Sequence, residues 1–241
     1  MDRTVPDRAG WQHAHFAAVA LLMTASVVVV FGVVPGERTM GVVQRIFYFH
    51  VPSALCAFLG VGLCAAFSAL YLWRKDDRWD LLAHASAELA TLFCTIVLVT
   101  GPIWARPVWG VWWTGEVRLT STLVLWLILV GYLVLRSSAE NADQAARWGA
   151  VVAIIAALDI PIIYKSVEWW RGLHPRVLRA TGGQGLDPAM EKTLLLCSVT
   201  FFLLFAYLLG QRYRLGLLAR DVEVLTHAAR RAAASGPGAQ P

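Results

Sequence analysis

Six long apolar runs limit what this chain can become. They cover roughly residues 14–34, 51–73, 81–101, 119–135, 148–164 and 194–210. A helix that crosses the hydrocarbon core of a bilayer needs about 20 mostly apolar residues, and inside lipid an open strand leaves its backbone unsatisfied. The runs therefore predict an all-α fold: a polytopic membrane protein with six transmembrane helices and a tryptophan-rich extracytoplasmic loop. Composition agrees, with 58% hydrophobic and only 15% charged residues, where a soluble domain carries about 25% charge. The first run is longer than the roughly 7–15 apolar residues of a signal peptide, so it reads as a retained span. The net charge of +5 then belongs to basic loops beside membrane lipid, and no nucleic-acid partner is expected.

The layout divides into an N-terminal segment (1–13), a six-helix membrane domain (14–211) and a C-terminal tail (212–241), its last ten residues predicted to be disordered. The connections alternate in character. Residues 74–80 and 136–147 look like plain solvated turns, whereas 35–50, 102–118 and 165–193 carry His, Trp, Arg and Pro. With six spans, these three richer connections share one face and both termini share the other. The excess of Lys and Arg on the terminal side places the termini in the cytoplasm. The opposite face is still rich in arginine for an outward one, and an anionic ligand would account for that.

That face is organised around residues 104–120, W-A-R-P-V-W-G-V-W-W-T-G-E-V-R-L-T, which hold four of the chain's eleven tryptophans: Trp104, Trp109, Trp112 and Trp113. A cluster of this kind anchors a chain at a bilayer surface or offers a flat platform to a flat ligand. Two histidines flank it at membrane boundaries. His50 closes I-F-Y-F-H, just before Pro52 at the predicted start of the second helix, and His174 lies in W-W-R-G-L-H-P, beyond the fifth. Neutral imidazole is a common ligand of haem iron, and two imidazoles can hold one iron from opposite sides. A lone histidine at a helix end is more often structural. Arg45, Arg106, Arg118 and Arg171 stand beside the platform; each suits a carboxylate such as a haem propionate, or else pairs with Glu116 or Glu168. Glu88 and Asp159 fall inside spans, where a charge is costly and usually paired or protonated; a structural role is expected. Thr120 and Ser121 look like the N-cap of the fourth helix. The four cysteines lie singly in apolar runs without a C-x-x-C pair, and no hydrolase or nucleotide-binding motif is present, so the chain is not expected to be an enzyme.

Three segments together resemble the haem exporter protein C family of cytochrome c maturation: F-Y-F-H-V-P-S-A, T-G-P-I-W-A-R-P-V-W-G-V-W-W-T-G-E-V-R-L-T-S and S-V-E-W-W-R-G-L-H-P. The resemblance covers about residues 14–211. It implies a bacterial inner-membrane protein that binds haem b non-covalently at the periplasmic face, with His50 and His174 as axial ligands and the tryptophan stretch under the ring. It also implies transfer of haem to a periplasmic haem chaperone, and partnership with ATP-binding-cassette transporter subunits and a small membrane subunit. The sequence departs from the family's pattern at two places. Gly115-Glu116 stands where Trp-Asp is usual, and Asp159 where an uncharged residue is usual. Two other readings stay open on the residues alone: a b-type haem electron-transfer subunit, and a ligand-free assembly scaffold.

Overall fold

The computed structural model describes residues 8–170 and 186–234. Six helices account for nearly all of them: α1 (Arg8–Val28), α2 (Phe47–Arg74), α3 (Asp77–Trp109), α4 (Val117–Ser137), α5 (Ala142–Trp169) and α6 (Pro188–Ala234). Each belongs to a segment long and apolar enough to cross a membrane, and no strand occurs among the described residues. The chain is an all-α, multi-pass membrane protein.

The helices outrun the apolar runs that predict them. α3 has 33 residues and α6 has 47, about 50 and 70 Å at ~1.5 Å per residue, against a hydrocarbon core of about 30 Å. α6 continues through Gly210 and takes in Ala232–Ala234, the start of the segment predicted to be disordered; residues 235–241 lie outside the described residues. A helix propagates at one hydrogen bond per residue fixed, so it runs past the apolar stretch until a breaker stops it. At the N-terminal side, α1 passes into a π-helical turn over Val29–Val33, closed by Val34 N–H to the Val29 carbonyl at 2.9 Å. A 3₁₀ turn over Val42–Ile46 then leads into α2.

α2 is the central element, packed against α3, α5 and α6. Its crossing with α3 is close because Gly60 faces Ala90: a Cβ at residue 60 would stand 3.0 Å from the Ala90 Cβ. Small residues at such crossings let backbones approach where lipid supplies no hydrophobic driving force. The core around this crossing includes Cys56, Val61, Phe93, Leu125, Leu129, Phe201 and Phe205. α1 is peripheral and packs on α6, with Ser26 and Thr200 hydrogen-bonded at 3.1 Å between them.

The turns predicted to be plain and solvated do more than connect. Asp76 caps α3 by accepting from Arg78 N–H, and Asn141 caps α5 by accepting from Gln144 N–H, both at 2.9 Å. Arg136 donates to both carboxylate oxygens of Asp80, at 2.6 and 2.9 Å, with both side chains nearly buried. Arg220 reaches Asp77 and Asp80, and Tyr71 donates to Asp143 at 2.9 Å. Glu88 likewise has a structural role, holding Arg212 of α6 through two hydrogen bonds. These ties join α2 to α5, and α3 to α4 and α6, at the end of the bundle away from the tryptophan stretch 104–113.

Candidate functional site

The tryptophan stretch is not one loop. Its first part is the last turns of α3, which continues through Pro102 and Pro107 to Trp109. Each proline removes a backbone donor, but both stand near the helix end, where freed carbonyls can find other partners. Gly110 then stops the helix. Its φ of 79° lies in the left-handed region that glycine tolerates, and its N–H meets the Arg106 carbonyl at 3.0 Å. That is the single-bond left-handed helix cap. An arginine in the last turn followed by glycine signals this end in the sequence. Residues 110–116 form the actual connection, and α4 begins at Val117.

Thr120 and Ser121 are inside α4 and do not cap it. The Ser121 hydroxyl donates to the Val117 carbonyl at 2.6 Å, and Thr120 to the Gly115 carbonyl at 3.4 Å. Glu116 holds the N-cap position, with no side-chain capping bond. Its negative charge there suits the positive end of the helix dipole.

Where α2, α3, α4 and α5 meet below this connection, they enclose a cavity of about 300 Å³. That is at the small end of ligand pockets. Its walls are mostly aliphatic and aromatic, and its polar members are few. The cavity brings together His50 of α2, Trp104 and Trp109 of α3, Trp113 of the connection and Arg118 of α4. Trp104 and Trp109 meet edge to face, 4.9 Å between ring centroids at 83°. Trp113 is 38% exposed and Trp112 58%; Trp112 is not part of the cavity wall.

His50 is oriented by a residue the sequence reading passed over. Its Nδ1 lies 2.8 Å from the Thr100 hydroxyl, which itself donates to the Ile96 carbonyl at 2.7 Å. With the Thr100 proton committed to that carbonyl, the hydroxyl oxygen accepts from His50 Nδ1–H. The tautomer is thereby fixed, and Nε2 is the nitrogen that keeps a lone pair. Thr100 could have been noticed as the one hydroxyl in the apolar V-L-V-T-G-P run. Its partnership with residue 50 depends on the α2–α3 crossing, which no local pattern reveals. Pro52 lies five residues inside α2, because helical turning begins in the preceding 3₁₀ segment.

The arginines divide. Arg118 lines the cavity, and its Nε and Nη2 donate to the carbonyls of Ile163 and Tyr164 at 3.3 and 3.1 Å. These carbonyls belong to α5, so Arg118 also ties α4 to α5. Arg106 turns back to the Gly110 carbonyl. Arg45 stands over the Phe31 ring, 5.9 Å from its centroid, with its Nε buried and without a hydrogen-bond partner. Among the described residues none of the three makes an ion pair. Glu168, on the cavity wall, is paired with Lys165 at 3.0 Å. His174 and Arg171 lie outside the described residues. Gly115 and Asp159, the two departures in the sequence pattern, line one groove between α4 and α5.

The family model for "Heme exporter protein C" matches residues 6–228. The chain belongs to the haem exporter protein C family. Among curated relatives, "Heme exporter protein C" of Bradyrhizobium diazoefficiens is 33% identical over 210 residues, covering 87% of this chain and 80% of the relative. "Heme exporter protein C" of Escherichia coli K12 is 36% identical over 202 residues, covering 80% and 81%. The "Putative cytochrome c biosynthesis ccmC-like mitochondrial protein" of Marchantia polymorpha is 34% identical over 172 residues, covering 71% and 73%. The match thus covers α1–α5 and most of α6.

Proposed function

We propose that this chain binds haem b non-covalently in and above the α2–α5 cavity and passes it to a periplasmic haem chaperone during maturation of c-type cytochromes. Haem is cargo here, and nothing covalent need happen to it on this chain; the role is binding and transfer rather than catalysis. Family membership supports the cargo. The observation that carries the reading for this chain is the His50–Thr100 pair at the cavity wall, with Arg118 lining the same cavity and making no ion pair among the described residues. The donor set fits haem: an imidazole with its tautomer fixed, indole rings for the macrocycle and a guanidinium for a propionate.

In this reading His50 is one axial ligand of the iron and His174 the other. Thr100 is a positioning residue, holding the His50 ring in the tautomer that presents Nε2. Trp104, Trp109 and Trp113 shield the ring from water, and Trp112, being exposed, faces the incoming chaperone. Arg118 takes one propionate, and Arg106, Arg45, Arg171 and Glu116 are further cofactor-binding candidates. The protein works in the bacterial inner membrane with both termini cytoplasmic and the haem site periplasmic. Its partners are the ATP-binding-cassette subunits and a small membrane subunit of the maturation system. The test is haem loading of a tagged haem chaperone by the full chain in membranes. Loading is expected with the natural chain and not with His50→Ala or His174→Ala; equal loading by all three would refute the proposal.

A further inference from the structure

On the outer side of the bundle a groove runs between α4 and α5. Asp159 stands at its base and Gly115, Val117, Thr120, Ser121 and Val124 form its walls. Asp159 is only 9% exposed, yet its Oδ2 is buried with no hydrogen-bond partner among the described residues. The two hydroxyls beside it do not help, because Ser121 and Thr120 both direct their protons to carbonyls of their own segment. Arg118, on the same end of α4, donates instead to the carbonyls of Ile163 and Tyr164, one turn further along α5. The described chain therefore supplies no donor to this carboxylate. The surface around the groove is apolar and exposed, including Val124 at 45% and Leu158 at 67%. A carboxylate in a membrane span normally faces the bundle interior and is paired. This one lies at the base of a groove with apolar shoulders and meets no donor among the described residues, so a donor arriving on an apolar body would match it.

We propose that this groove seats a transmembrane helix of a partner protein, with a lysine, arginine or histidine of that helix pairing with Asp159. The occupant follows from charge and polarity together. A soluble cation would not be retained by the apolar rim, and a lipid tail would leave the carboxylate unpaired. Gly115, whose backbone has a φ of 70° and no side chain, leaves the loop end of the groove open to such a helix. The proposal is independent of haem binding at the cavity.

The test replaces Val124 with a photoreactive amino acid in the full chain in its native membrane, alone and combined with D159N or D159E. The expected result is a cross-linked peptide from an apolar span of another protein that carries Lys, Arg or His. Its yield, normalised to the chain present in the membrane, should fall about tenfold or more in D159N, because the partner's charge is then left buried and unpaired, and should be kept in D159E. Adducts to lipid only, adducts to a second copy of this chain, or a yield unchanged by D159N would overturn the proposal. So would an infrared band of a protonated carboxyl that disappears in D159N.

Discussion

The two ends of the bundle use arginine in opposite ways. At the end away from residues 104–113, arginines between helices meet carboxylates, Arg136 with Asp80, Arg212 with Glu88, and Arg220 with Asp77 and Asp80, while Arg74 lies over the ring of its neighbour Trp73. At the aromatic end they meet dipoles and ring faces: Arg118 the carbonyls of α5, Arg106 the Gly110 carbonyl, Arg45 the Phe31 ring. A carbonyl or a ring holds a guanidinium in place but does not cancel its charge. One end is thus closed electrostatically and contributes to stability. The other is held in shape, and its three arginines make no ion pair among the described residues, which is the condition an anionic cargo needs.

The comparison can be broken most forcefully at the closed end. Arg136→Ala leaves the nearly buried Asp80 carboxylate without its main partner, so unfolding in detergent is expected to become easier by about 3–5 kcal/mol. Replacing both residues with leucine should restore much of the loss. Arg118→Ala, by contrast, is expected to change stability by less than about 1 kcal/mol, because its acceptor carbonyls are already within α5. Its effect should be on cargo. The natural chain should prefer haem over haem dimethyl ester by about 10–100-fold, the value of a charge-assisted hydrogen bond of roughly 1.5–3 kcal/mol, and Arg118→Ala should lose that preference. If Arg118→Ala proves as destabilising as Arg136→Ala, the contrast between the ends fails.

A smaller effect sharpens the His50 assignment. Thr100→Val removes the acceptor that fixes the imidazole tautomer, and haem affinity is expected to drop about tenfold, as for other outer partners of ligating histidines. Thr100→Ser should retain it. A purely structural threonine would lower stability in both variants and leave the spectrum of bound haem unchanged.

The smallest effect is in the connection after α1. The Met40 backbone N–H, with help from Thr39, holds the Glu37 carboxyl below its ordinary range against the opposing effect of burial. A carboxylate whose folded pKa is depressed adds stability that is present above its unfolded pKa and lost as pH falls through the folded value. Amide exchange at Met40 should therefore be protected near neutral pH and speed up, beyond the ordinary pH trend, only once the pH falls below the usual glutamate range.

Much of the architecture was legible in the sequence because it rests on composition and alternation. Six apolar runs imply six helices, and an even count puts the His50 and tryptophan segments on one face. Local stop signals were also present, as in Arg106 and Gly110, although the apolar run ends at residue 101 and α3 continues to Trp109. The prolines at 102 and 107 are tolerated because they stand near the end of the helix. What could not be read was tertiary. Whether an arginine meets a carboxylate, a carbonyl or a ring depends on which helix lies opposite. Thus Asp80 and Arg136 looked like residues of solvated turns and form a buried pair, while Thr100 drew no attention and orients His50. The groove that joins Gly115 to Asp159 is likewise a product of the α4–α5 packing.

The central proposal is that His50, held by Thr100, ligates the iron of haem on this chain together with His174. The most direct measurement is a haemin titration of the purified full chain, followed in the Soret region and by electron paramagnetic resonance. The expected result is saturable binding with a low-spin, bis-imidazole spectrum, lost in His50→Ala and recovered when free imidazole is added. A His50→Ala chain that binds haem with the same affinity and the same low-spin spectrum would contradict it.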